Sequence, residues 1–196
     1  MNGNYGCLLR ESSRGIDLID IESRLLAERK LVFASEITTE SASELMKALM
    51  ALQAEDDRAP VTLFISSPGG SVDAGLGLYD LMMSMSCPVT TIASGLVASM
   101  ASIIYLAGAQ RIATPNMKLM IHDPSVSGGS NRSALEFKRE AERLLDSRST
   151  LQQIISDRTQ MPIEWVCEQT AGGIDCYFTA EEALKYGFAH KMLSGI

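Results

Sequence analysis

Short apolar runs, often β-branched, alternate with helical periods along this chain, and that alternation restricts the fold more than any other feature. Leu31-Val32-Phe33, Val61 to Ile65, Val89 to Ala93 and Lys118 to His122 read as strands with turn residues close by. Between them, Thr38-Thr39-Glu40 opens a helix with a capping hydroxyl and an early acid, and Leu45, Leu49 and Leu52 then recur at spacings of four and three. A second helix follows Gly69-Gly70-Ser71, with Val72, Leu76, Tyr79 and Met83 on one stripe. A third begins near Ser99 and runs through Ile103, Ile104 and Leu106 to Gly108. Strand and helix in repeated succession predict an α/β fold with a mainly parallel sheet and crossover helices.

Two regions depart from this rhythm. Residues 1–20 mix Gly, Ser, Arg and Asp around a few apolar side chains and read as a mobile arm. The remainder, 21–196, is of a length that one domain accommodates. Within it, Asn131 to Thr159 contains neither Gly nor Pro and carries Phe137, Ala141, Leu144, Leu145, Leu151, Ile154 and Ile155 at helical spacing. At 1.5 Å per residue such a helix is about 40 Å long, more than a compact domain of this size needs. Either it projects and takes apolar cover from another subunit, or it lies across its own domain.

Charge and composition exclude several classes of function. The chain has 17 Lys+Arg against 24 Asp+Glu, a net charge of −7, and no basic block, which argues against nucleic acid or an anionic membrane as partner. With 46% hydrophobic and 21% charged residues it is of ordinary globular composition. The longest weakly polar stretch, Gly95 to Ala109, is too short to span a bilayer. The start, MNGNYGCLLRESSRG, lacks the basic-then-apolar order of a secretory signal. Cys7, Cys87, Cys167 and Cys176 show neither CxxC spacing nor a partnered His motif, so a reducing cytoplasm is the expected location.

Only His122 and His190 can supply an imidazole. His122 ends an apolar strand just before Asp123-Pro124, and the carboxyl ends of strands are where sites gather in open α/β sheets. His190, between Ala189 and Lys191, reads as a surface residue. In Ala93-Ser94-Gly95-Leu96-Val97-Ala98-Ser99-Met100-Ala101-Ser102 a strand turns into a helix through small residues, which exposes the Ser99 hydroxyl beside free N–H groups. The GxSxG spacing of a hydrolase elbow is absent, and close packing alone would also account for small residues. Ser66-Ser67-Pro68-Gly69-Gly70-Ser71 is a second strand-to-helix turn, with two glycines to present bare N–H groups. Without GxxxxGK[ST] it suits an oxyanion better than a nucleotide, or is a plain tight turn. The acid for His122 is one of Asp123, Asp73, Asp157 and Asp175. Asp123 is disfavoured because neighbouring strand side chains face opposite ways, whereas Asp175 sits in a loop after Gly172-Gly173 entering the short strand Cys176-Tyr177-Phe178. Spacing does not choose among them.

Taken in order, these pieces resemble the Clp protease family of ClpP-type proteolytic subunits, from about Arg10 to Leu193. ESSRGIDLIDIESRLLAERKLVF is similar to the family's N-terminal segment, FISSPGGSVDAGLGLYD to its glycine turn, ASGLVASMASIIYLAGAQ to its nucleophile turn, RIATPNMKLMIHDP to its histidine strand and DCYFTAEEALKYGFAHKM to the segment of its third catalytic residue. The resemblance implies a crotonase-like α/β unit with a projecting helical handle at about 123–159. It also implies Ser99 as nucleophile, His122 as general base, Asp175 as the group that holds the imidazole, and the N–H groups of Gly70 and Met100 as oxyanion hole. It implies no metal or organic cofactor. Polypeptide substrates would be hydrolysed inside two stacked seven-membered rings, with Tyr5 to Ile16 lining the axial pore. An AAA+ unfoldase of the ClpX, ClpA or ClpC type would feed the chamber and be the only consumer of ATP.

The chain departs from that family pattern at several places. Thr62 and Ser84 stand where aromatic residues usually receive the unfoldase loops, with Phe64 keeping one apolar position. Gly173-Ile174 replaces an Asp-Arg pair that couples ring stacking to the site, with about two extra residues nearby, and IHDP replaces IHQP. These changes suit a divergent paralogue that works in a mixed ring with a second ClpP-type subunit or with an unusual partner. A catalytically idle or regulatory ring subunit is the first alternative, and an acyl-CoA enzyme on the same fold the second.

Overall fold

A computed structural model describes residues 7–12, 15–125 and 133–194. In chain order the elements are β1 (Cys7–Ser12), β2 (Gly15–Asp20), α1 (Ile21–Ala27), β3 (Lys30–Phe33), α2 (Thr39–Glu55), β4 (Val61–Ser67), α3 (Val72–Ser84), β5 (Val89–Ala98), α4 (Met100–Leu106), β6 (Gln110–Ala113), β7 (Lys118–Ile121), α5 (Ala134–Thr159), α6 (Ile163–Thr170), β8 (Cys176–Thr179), α7 (Ala180–Lys185) and β9 (Lys191–Met192). The strand order β3-β4-β5-β6-β9 is parallel throughout. β7 joins β5 in parallel and carries β8 antiparallel. This is the mainly parallel sheet with crossover helices that the alternation predicts.

Local chemistry explains the element ends. Thr38 caps α2 in a reciprocal box, accepting from the Ser41 N–H while Ser41 Oγ accepts from the Thr38 N–H. Ala42, Leu45, Leu49 and Leu52 then form the buried face of α2. In β4 the alternation is strict: Val61, Leu63, Ile65 and Ser67 are buried, while Thr62 and Phe64 face the other side. β5 runs five residues further than its apolar start suggests. It pairs with β6 through Thr90–Ala93, then with β7 through Leu96–Ala98. The change of partner falls at Ser94-Gly95, where Gly95 has φ +65° and the β4 register shifts.

The two halves of the long helix differ in burial. Ser133 and Glu136 form a capping box that starts α5 at Ala134. Towards its C-terminal end Leu151, Gln152, Ile155 and Thr159 are buried against the body. In the first half Leu135, Phe137 and Leu145 are 56%, 54% and 58% exposed, so the chain leaves these apolar side chains uncovered there. Two arginines lock the buried end. Arg158 donates to the carbonyls of Leu106 and Gly108, and Arg111 donates to the carbonyls of Arg158, Gly187 and Phe188. Burial, with Arg158 nearby, pulls the Arg111 guanidinium down to about 10, so it is still a cation at neutral pH.

Within the segment read as a mobile arm, β1 and β2 pair antiparallel from Cys7↔Asp20 to Ser12↔Gly15. Residues 126–132, within the stretch of about 123–159 that the resemblance reads as the handle, and Tyr5 lie outside the described residues. Among the described residues no helix is long and apolar enough to cross a membrane.

Candidate active site

Strand register brings the three distant residues to one point. In the parallel β5/β7 ladder the last pair is Ala98↔Met120, and the Ser99 N–H donates to the Met120 carbonyl at 2.8 Å. In the antiparallel β7/β8 ladder the last pair is Ile121↔Cys176, so one further step sets His122 opposite Asp175. The side chains follow this frame. His122 Nε2 lies 2.7 Å from Ser99 Oγ, and His122 Nδ1 lies 3.4 Å from Asp175 Oδ1. A carboxylate beside Nδ1 favours the tautomer with its proton there, leaving Nε2 to accept from the Ser99 hydroxyl.

The Ser99 turn is strained and tightly backed. Ser99 has φ +55° and ψ −127°, a conformation that L-residues seldom adopt and that surrounding structure must enforce. Gly69 (φ +96°) supplies part of that enforcement: a Cβ there would come within 2.7 Å of the Ala98 carbonyl oxygen and of Ser99 Cβ, and 3.1 Å from the Met100 nitrogen. Gly70 (φ +144°) is pressed against Ile37, whose N–H donates to the Gly69 carbonyl and whose carbonyl accepts from Ser71 N–H. The Gly69-Gly70 turn and the Ser99 turn therefore touch. Behind them, the Met100 side chain fills the space that a Cβ on Gly75 would need. Nothing in the spacing of Ile37 or Gly75 marks either as part of the site.

The Asp175 side is looser. Gly172 (φ +77°) and Gly173 (φ +69°) have nothing within 4 Å of where a Cβ would sit, and the Asp175 side chain is 47% exposed. Ile174, at 71% exposed, points no apolar anchor inward. What holds β8 lies beyond the acid: Phe178 is buried among Trp165, Tyr186 and Phe188, with ring centroids 5.0–6.1 Å apart.

A small cavity opens beside Ser99, walled by Val72, Met100, Ile121, Pro124, Leu151 and Ile155. Sequence reasoning placed Leu151 and Ile155 on the handle; their part in this wall arises because the second half of α5 packs on the body. The remaining acids are engaged or turned away. Asp123 accepts from Arg148 Nε at 2.9 Å, Asp157 accepts from Gln153 Nε2 at 2.7 Å, and Asp73 is exposed in the first turn of α3. His190 accepts from the Arg111 N–H. Among the described residues no cluster of His, Cys, Asp and Glu suits a metal ion. Thr62 is half-buried beside Phe64 on the outer face of β4, and the Ser84 hydroxyl turns back to the Leu81 carbonyl.

The family model of the Clp protease matches residues 13–195. The chain belongs to the Clp protease family. Membership implies a serine peptidase, and the parallel sheet with its crossover helices agrees with the ClpP fold.

Proposed function

We propose that this member of the Clp protease family is a self-compartmentalised serine endopeptidase that cuts unfolded polypeptides into short peptides. The observation that carries the reading is the 2.7 Å contact between Ser99 Oγ and His122 Nε2, with Asp175 on the other ring nitrogen. In this mechanism His122 takes the Ser99 proton as the hydroxyl oxygen attacks the peptide carbonyl, then delivers that proton to the leaving amine. Water repeats the exchange to release the acyl group. Asp175 keeps the tautomer and stabilises the imidazolium. The N–H groups of Gly70 and Met100 hold the tetrahedral oxyanion, each such donor contributing about 3 to 4 kcal/mol. The apolar cavity walled by Leu151, Ile155 and Met100 receives an uncharged side chain next to the scissile bond. No metal or organic cofactor takes part.

The exposed apolar side chains Leu135, Phe137 and Leu145 support ring stacking through α5, with copies of this chain or of a second ClpP-type subunit supplying the cover. Confinement in two heptameric rings then restricts substrates to chains threaded by an AAA+ unfoldase. Thr62 and Ser84 offer that unfoldase little aromatic anchorage, so docking is expected to be weak or to depend on the second subunit.

Reaction of the assembled protein with a fluorophosphonate, the adduct mapped by mass spectrometry, tests the reading together with hydrolysis of fluorogenic peptides. A modified Ser99 and measurable cleavage are expected. If Ser99 stays unmodified and no peptide is cut under conditions in which a known serine peptidase reacts, the idle-subunit reading replaces this one.

A further inference from the structure

Asp123, excluded as the partner of the imidazole, is one half of an ion pair whose position is informative. Arg148 Nε donates to Asp123 Oδ1 at 2.9 Å, with the side chains 33% and 23% exposed. On one flank, Asp123 directly follows His122, and Pro124 after it is a wall of the cavity beside Ser99. β7 keeps its ladder with β5 only to Met120 and with β8 only to Ile121, so His122 is the first residue beyond the sheet. On the other flank, Arg148 precedes Leu151 and Ile155 by one and two turns of α5, on the helix face that also lines this cavity. The pair thus joins the free end of the histidine strand to the root of α5, where the helix passes from exposed to buried.

Magnitudes separate two roles for such a pair. A partly exposed ion pair contributes only about 0 to 1 kcal/mol to stability, so it does little to hold the fold. Its effect on position is larger, because misplacing a catalytic group by about 1 Å costs up to about 10²-fold in rate. The 2.7 Å contact between His122 and Ser99 leaves little room for drift.

We propose that the Asp123–Arg148 ion pair is a positioning device that holds the His122 imidazole on Ser99 by tying the end of β7 to α5. The inference rests on the peptidase reading for its kinetic consequence, but not for its geometric one. Asp123 and Arg148 are positioning residues that act through His122.

Four variants test it: Asp123→Asn, Arg148→Gln, the double variant and Arg148→Lys. Each single neutralisation is expected to lower kcat about tenfold with KM within about twofold. The double variant should lose no more than either single one, Arg148→Lys should recover most of the rate, and Tm should move by no more than about 3 °C. The pH profile separates position from charge. A purely electrostatic pair would move the acid limb of kcat/KM in opposite directions in the two single variants, whereas a positioning pair lowers both plateaus. Unchanged kcat, additive losses or opposite shifts of the limb would overturn the proposal. A crystal structure of Arg148→Gln decides it even if the wild-type chain cleaves nothing, a result that would count against the peptidase reading alone. Displacement of the His122 ring from Ser99 Oγ upholds the proposal, and a ring still within hydrogen-bond distance rejects it.

Discussion

The Ser99 turn and the Asp175 loop approach the same imidazole, and they are built in opposite ways. Around Ser99 every degree of freedom is taken: a positive φ at a non-glycine residue, Gly69 against the Ser99 backbone, Gly70 against Ile37, and Met100 over Gly75. Around Asp175 two glycines stand in open space, the acid is half-exposed, and its distance to His122 is 3.4 Å. Charge-assisted hydrogen bonds are usually nearer 2.8 Å. The contrast teaches which part of the site is preset and which is adjustable. The Ser99 hydroxyl is set in place by packing, whereas the Asp175 carboxylate reaches its place through one strand, β8, anchored by Phe178.

Substitutions can break the comparison from the rigid side first. Ser99→Ala should abolish peptide cleavage while native mass shows the same oligomer, since it removes one oxygen and no core volume; cleavage at the wild-type rate would refute the assignment. Gly70→Ala should also be severe. Its Cβ would collide with the Ile37 backbone at a φ that L-residues avoid, and a loss of at least about 2 kcal/mol in denaturant unfolding is expected along with lost activity. On the adjustable side, Asp175→Asn should cut kcat by at least about tenfold, short of the roughly 10⁴-fold that tighter triads lose, because part of the alignment is reached only with substrate bound. Steady-state kinetics would show it, and a loss as complete as that of Ser99→Ala would mean the loop is as preset as the nucleophile.

The smallest effects sharpen the contrast. Gly172→Ala meets no neighbour, so only its positive φ matters, and a cost of about 1 kcal/mol in the same unfolding assay is expected. A cost equal to that of Gly70→Ala would erase the distinction between the two regions. Cys176, next to Asp175, has its thiol pushed up by burial and by Glu182, so at pH 8 it should remain largely protonated. Alkylation with iodoacetamide should then favour the exposed Cys7, and mass mapping of the adducts checks this.

Much of the site was legible in the linear order because turns are local chemistry. Strand, small residues and a helix start at Ser99, two glycines before Ser71, and a proline closing the His122 strand are signals written in adjacent residues. Helix α5 was legible for the same reason, since an unbroken period without Gly or Pro is a local property. Less was legible where a residue acts through a partner far along the chain. Ile37 braces Gly69 and Gly70 from more than thirty residues away, Gly75 makes room for Met100, and Arg148 takes Asp123 out of competition for the imidazole. β1 and β2 are harder to read from sequence, because their apolar alternation is limited to Ile16 and Leu18 in β2.

From residues alone come the α/β class, the long helix, and the short roll of hydroxyl, imidazole and carboxylate, because periodicity and turn propensity depend on near neighbours. Which of four aspartates meets His122 was decided only by the antiparallel register of β7 with β8, and which half of α5 is buried only by its packing on the body. Register and packing are relations between distant segments, set by the burial of whole faces, and no run of adjacent residues encodes them.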